Sequence, residues 1–140
     1  MGGKLWTVNG ALHGVVHGVL ANKSNSRQAV PMHGRYIWIK EKAAHSFEKS
    51  FMEAVSTSCG LKWTQPSGYL GLEVVAWYAD WRRDLDCELI PDMLQKAKLI
   101  DNDRYITIKL YRRRTNKDFP HVEFKLYPAD RYNPMDDDEV

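Results

Sequence analysis

Asp84 and Asp86 stand one residue apart, directly after Arg82 and Arg83, and a second acidic pair, Asp101 and Asp103, returns seventeen positions later. Side chains alternate along an extended backbone, so an extended run from 83 to 87 would turn both carboxylates to one side, about 6.5–7 Å apart at the backbone. That separation lets both reach one hard cation. Magnesium takes oxygen ligands and keeps several waters, so two or three carboxylates and a substrate phosphate make a suitable site. The neighbouring arginines point to an anionic substrate. An isolated Asp-x-Asp is usually a solvated turn, because aspartate suits turns. Here it coincides with a strand, paired arginines and a second acidic cluster, and that coincidence argues for chemistry.

These residues need a frame. Tyr69 to Tyr78 (YLGLEVVAWY) is apolar, β-branched and aromatic, the composition of a largely buried strand leading into Arg82. Beyond the carboxylates, Leu89, Met93, Leu94 and Ala97 carry helical spacing. Pro91 fits only a first turn, so a short helix begins around Ile90 and ends at LIDND. Tyr105 to Arg113 alternates Ile106, Ile108 and Leu110 with Thr107, Lys109 and Tyr111, which predicts a strand burying its isoleucine face. Val122, Phe124 and Leu126 repeat the pattern after the loop RRTNKDFP and predict an antiparallel hairpin with the strand before it. Arg112, Arg113 and Arg114 at its tip project in different directions, so they cannot all serve one contact.

Upstream, Lys4 to Val8 suits a first strand. Ala11 to Leu20 is apolar, but Gly14 and Gly18 discourage a helix, which removes the i, i+4 geometry that His13 and His17 would need for a metal. Asn22 to Arg35, with Pro31 and Gly34, reads as a basic loop carrying Lys23, Arg27 and Arg35, suited to a phosphate backbone or to solvated surface. From Ile39 to Ser56 the period is helical, with Ala43, Phe47, Phe51, Ala54 and Val55 on one stripe. The expected order is β-α-β-α-β-β. This is an α/β (α+β) fold of one domain over 1–128, a small mixed sheet packed with two helices, followed by an irregular acidic tail over 129–140.

At 140 residues, 44% apolar and 27% charged, the chain can bury one core without staples and is not composed like a disordered protein. Cys59 and Cys87 form no Cys-x-x-Cys pair, which argues against a zinc site or disulfide framework and makes a reducing cytoplasm the expected location. No apolar run approaches the roughly 18–20 residues that span a bilayer, and MGGKLWTVNG lacks the regions of a secretory signal. Four of the eighteen acidic residues lie in the last five positions; without them, twenty Lys and Arg face fourteen acids, a surplus of +6 that favours a polyanion.

RRDLD at 82–86, LQKAKLIDNDRYI at 94–106 and the alternating strand after them resemble the RusA family of Holliday junction resolvases. In that family an R-R-D-L-D-N motif is followed by a helix and a K-A-G-x-x-x-D-D-x-x-V-like stretch. The similarity covers roughly 80–110. It implies a magnesium-dependent endodeoxyribonuclease, with manganese able to replace magnesium and no small-molecule cofactor. It also implies a homodimer away from the membrane that nicks two strands of branched, four-way DNA symmetrically in recombination and repair. By position, Asp84 and Asp86 match the first two metal-binding aspartates and Asp103 the third. Asn102 stands at the acidic position before it, and Asp101 is the substitute. Arg82 and Arg83 match residues that meet DNA phosphates, with Lys96 and Arg27 as further DNA-binding candidates.

Two departures accompany the resemblance. Cys87 stands where the family has asparagine, and Ile90 where it has a catalytic lysine that stabilises charge on the transferred phosphoryl group. Lys96, further along the helix, is the candidate to deputise, and the helix is about two residues shorter by this alignment. Two alternatives follow: a junction-binding module with a decayed active site, and a metal-dependent nuclease without junction preference. Ala11–Leu20 and the tryptophans Trp6, Trp38, Trp63, Trp77 and Trp81 are candidate dimer contacts, although core packing is the commoner fate of such residues. Trp81, beside the arginines, could instead stack on a base or fill the strand end.

Overall fold

A computed structural model describes residues 2–23, 27–40, 42–58 and 60–129, with the backbone alone for 27–30 and 36–40. In chain order the elements are β1 (Gly3–Val8), β2 (Ala11–His17), β3 (Arg27–Met32), β4 (Arg35–Lys40), α1 (Lys42–Ser56), β5 (Tyr69–Tyr78), α2 (Leu89–Lys96), a 3-10 turn (Asp103–Tyr105), β6 (Ile106–Thr115) and β7 (His121–Ala129). The fold class is the expected one: a mixed five-stranded sheet and, among the described residues, two α-helices in one small α+β domain.

The order of elements is richer than expected. The glycine-broken run Ala11–His17 is a strand, and it turns back on β1 through Asn9 and Gly10, both at positive φ (50° and 81°). That pairing of conformations makes a tight hairpin turn, which an Asn-Gly dipeptide adopts readily. Arg27 to Lys40, expected as loop up to Arg35, is a second ribbon, β3–β4, turning at His33–Gly34. Pro31 does not break this ribbon, because a two-stranded ribbon is all edge, and an edge tolerates proline.

The five-stranded sheet runs β1-β2-β7-β5-β6, antiparallel except for the parallel pair β5–β6. The expected β6–β7 hairpin is therefore corrected: the two strands are antiparallel to each other but flank β5. Their connection crosses the end of β5, where the Asn116 N–H donates to the Tyr78 carbonyl at 2.8 Å. Alternation fixes that a segment is a strand, not which neighbour it takes; β5, apolar along its length, is the strand that gains most from having both edges paired. The parallel pair needs a long crossover, and α2 supplies it.

Both helices cover one face of the sheet. Leu12, Val16, Leu70, Leu72, Val74, Ala76, Val122, Phe124 and Leu126 point to that face and pack with Phe47, Phe51 and Ala54 of α1 and Leu89, Ile90, Met93 and Leu94 of α2. β6 departs from its predicted face. Ile106 is buried, but Thr107 is left unpaired, Leu70 facing Ile106 and Gly71 facing Ile108, so this bulge in β6 shifts the pairing by one residue and Ile108 and Leu110 lie on the opposite face, 44% and 41% exposed. A one-residue slip moves every later side chain across the sheet. β7 also runs further than expected, since Pro128 and Ala129 pair with Leu70 and Tyr69; the acidic tail beyond lies outside the described residues. Among those described, no helix is long and apolar enough to cross a membrane.

Candidate metal and phosphate site

β5 ends at Tyr78, so the carboxylates do not ride on an extended strand: residues 79–88 form an irregular loop that delivers the chain to α2. Local bonds shape it. Asp80 accepts the Arg82 N–H at 2.9 Å, a side-chain turn that reverses the chain after the strand. Arg113 of β6 donates to the Arg83 carbonyl at 2.8 Å and lays its guanidinium 4.8 Å from the Trp81 ring, pinning the loop to the sheet edge. Trp81 is 63% exposed, so it neither fills the strand end nor enters the core. Arg82, Arg83 and Asp84 are exposed, and among the described residues no carboxylate pairs with either arginine.

Asp84 and Asp86 have different surroundings. Asp84 faces solvent. Asp86 is half-buried and accepts two backbone N–H groups, that of Glu88 at 3.0 Å and that of Lys23 at 3.1 Å. The first bond caps the start of α2, whose preceding residue, Glu88, offers no side-chain cap. Between them, Cys87 is fully buried, and burial, reinforced by the Asp86 and Glu88 charges, pushes its thiol up to about 12. Glu88 itself pairs with Lys109 at 3.0 Å.

α2 is short and strongly two-sided. Leu89, Ile90, Pro91, Met93 and Leu94 face the core, while Asp92, Gln95 and Lys96 face out. Ile90 is 0% exposed, so the position at which the resembled family carries lysine points into apolar packing. Lys96 pairs with Glu48 of α1. Past the helix, Asn102 accepts the Arg104 N–H at 2.9 Å and starts the 3-10 turn, and the Asp103 N–H donates to Gln95 at 3.0 Å. Asp92, Gln95, Lys96, Asn102 and Asp103 together line a cleft of about 530 Å³. Asp101, its N–H held by Gln65 at 2.6 Å, is not among the lining residues.

The candidate carboxylates thus gather at the two ends of one helix. Asp84 and Asp86 precede it, Asp103 follows it, and Asp92 stands on its outer face. Lys23 ties the acidic loop to the first turn of the helix, its N–H bonded to Asp86 and its ammonium 3.2 Å from Asp92. In donor chemistry these oxygen-bearing side chains suit a hard, partly hydrated cation. Among the described residues, no three His, Cys, Asp or Glu side chains stand close enough together to hold a metal ion, so Asp84, Asp86 and Asp103 are neighbours of one helix without forming one coordination shell. Arg27 lies in β3, and its side chain is outside the described residues.

Sequence reasoning missed Asp92, and it placed Lys23 in a basic loop without its link to Asp86 and Asp92. Asp92 was legible: it falls on the polar side of the α2 stripe, directly after Pro91. Lys23 had no local signal, being 63 residues from Asp86. Several of the other candidates have structural employment, while the side chain of Trp38 lies outside the described residues. His13 stacks on Trp6 (5.6 Å), and Trp77 stacks on His121 (5.3 Å); the Trp63 indole N–H donates to the Leu99 carbonyl at 2.7 Å. No protein-family profile matches the chain, and no curated protein is significantly similar to it.

Proposed function

We propose that this chain is a magnesium-dependent, structure-selective endodeoxyribonuclease of the RusA type, which resolves four-way DNA junctions by paired symmetric nicks during recombination and repair. What supports this reading is one arrangement. The loop bearing Arg82, Arg83, Asp84 and Asp86 and the turn bearing Asp103 stand at opposite ends of a single helix, and Asp92 on that helix lines a cleft together with Asp103. The exposed guanidinium groups of Arg82 and Arg83 are suited to grip a phosphate in two-pronged fashion. Asp84 and Asp86, the latter already oriented by two N–H bonds, would hold the ion from the loop, and Asp103, at the other end of the helix, would join them only by moving toward them. Bound magnesium would supply a polarised phosphate oxygen and a water of lowered pKa. A two-fold homodimer in the cytoplasm, with one site on each side of a two-fold junction, accounts for paired nicking by geometry.

Burial of Ile90 favours a second reading, a junction-binding module whose catalytic site has decayed, because no cation on α2 itself faces the carboxylates at that position. A synthetic mobile four-way junction, a linear duplex and a flap, each with magnesium, separate the readings. The nuclease reading expects paired nicks in the junction, a loss of at least about 100-fold in Asp84→Asn and Asp86→Asn, and a magnesium-dependent rise in melting temperature that Asp86→Asn lacks. Binding without cleavage identifies the decayed module, and equal cleavage of all three substrates identifies a nuclease without junction preference.

A further inference from the structure

The face of the sheet turned away from α1 and α2 carries Tyr69, Ile108 and Leu110, 45%, 44% and 41% exposed. Apolar side chains gathered on one uncovered surface mark a contact site. The charges on this face are sorted by position. Toward β1 lies a cavity of about 380 Å³, lined among others by Trp6, Glu73 and Glu123. The Trp6 ring is held nearly parallel to that of His13, centroids 5.6 Å apart. Glu123 stands 3.1 Å from a ring nitrogen of His121, whereas Glu73 has no ion-pair partner among the described residues. Toward β6 lies Arg112, exposed and likewise without a carboxylate partner among the described residues, although it lines a smaller cavity together with Glu73.

We propose that this face packs on the same face of a second copy of the chain about a two-fold axis running along β5, so that the Arg112 guanidinium of each copy enters the cavity of Trp6, Glu73 and Glu123 on the other. The inference rests on the homodimer of the reading above and not on its nuclease chemistry. The register supplies the symmetry. Val75 pairs with Arg112 on one side and with Glu123 on the other, and Gly71 likewise with Ile108 and Tyr127. A two-fold axis along β5 exchanges its two neighbouring strands, which sets Arg112 against the partner's Glu123 and Ile108 against the partner's Tyr127, each contact made twice. Stacked sheets lie about 10 Å apart. An arginine side chain crosses that gap, and its flat guanidinium suits both a carboxylate and an indole face. Five strands about 4.8 Å apart and about 25–30 Å long offer about 600–700 Å² per copy, a total within the roughly 1,200–2,000 Å² of a specific interface. DNA suits this face poorly, because Glu73 and Glu123 would confront its phosphates.

The test measures the mass of the full-length protein by sedimentation equilibrium over a range of concentrations, with folding followed by circular dichroism. It compares wild type, Ile108→Asp, Arg112→Glu, Glu123→Arg and the double variant Arg112→Glu/Glu123→Arg. Wild type is expected to be a dimer. Ile108→Asp and each single charge reversal should raise the dimer dissociation constant by at least about 10-fold, and the double variant, which restores opposite charges across the axis, should recover most of that loss. A dimer that none of the variants weakens places the interface elsewhere and overturns the inference alone. A double variant as weak as the single ones overturns the contact between Arg112 and the partner's Glu123. Unchanged mass with weakened junction binding in Arg112→Glu assigns the face to DNA and overturns the inference as well. A wild type that stays monomeric at every concentration overturns both the inference and the homodimer, while junction cleavage reads the nuclease chemistry separately.

Discussion

Cys87 shows how much a single residue is governed by where the chain turns. Its neighbours Asp86 and Glu88 face outward while its thiol is sealed in the core, and burial beside two carboxylates lifts the thiol from 9.0 to about 12. The folded protein therefore keeps a proton that the unfolded chain gives up. The associated stability is fully present below pH 9 and is lost as pH rises from about 9 to about 12, up to about 4 kcal/mol at about 1.4 kcal/mol per pH unit. Urea titrations between pH 8 and 11 should show stability falling, and Cys87→Ala should fall less steeply over the same range; parallel curves would place the loss elsewhere. Tyr78 and Tyr111, raised chiefly by burial, add losses in the same direction at higher pH. At this scale the sequence was legible where side chains act locally: Asp84, Asp86 and Asp103 are exposed or half-exposed at the ends of one helix. It named Lys23 as one cation of a basic loop but was silent on its partners, because nothing in a run of polar residues shows which distant carboxylate it will meet.

The central strands illustrate how elements constrain one another. Gly14 of β2 pairs with Phe124 of β7, and a Cβ at Gly14 would collide with the Phe124 ring. That ring in turn stacks on Phe51 of α1, centroids 5.8 Å apart. The glycine is a hole cut to fit an aromatic side chain that joins sheet to helix. Gly14→Ala should cost about 1–3 kcal/mol by overpacking, measured as a lower urea midpoint, and pairing it with Phe124→Leu should return part of that cost. An additive double variant would show that the two residues do not share this space. The same reasoning explains why β6 misled. Its alternation from Tyr105 to Arg113 is regular, but one bulge at its first pair with β5 hands the later positions to the open face. Lys109 is thereby brought onto the face that carries Glu88. A period-two pattern specifies a strand; a bulge is a property of the pair and leaves no mark in one strand alone.

Taken whole, the molecule places its helices on one side of the sheet and its acidic loop, turn and arginines at the ends of α2. On the proposed function, a surplus of positive charge outside the last five residues would make binding to DNA dependent on salt. Junction binding followed by fluorescence anisotropy from about 50 to 200 mM salt should weaken steeply. Removing Arg82 or Arg83 should reduce the slope of log affinity against log salt by about 0.9 each; an unchanged slope in both would remove the loop from the DNA interface. The sequence by itself determined which segments are strands in β1, β5, β6 and β7, where the two helices lie, and which carboxylates and arginines stand beside α2. Those features follow from the periodicity of neighbouring side chains, a property of contiguous residues. Only the tertiary structure decided that β5 separates β6 from β7, that Ile108 and Leu110 face away from the helices, and that Lys23 bridges Asp86 and Asp92. Each of those depends on pairings between residues far apart in the chain, and such pairings are selected by the packing of the whole core.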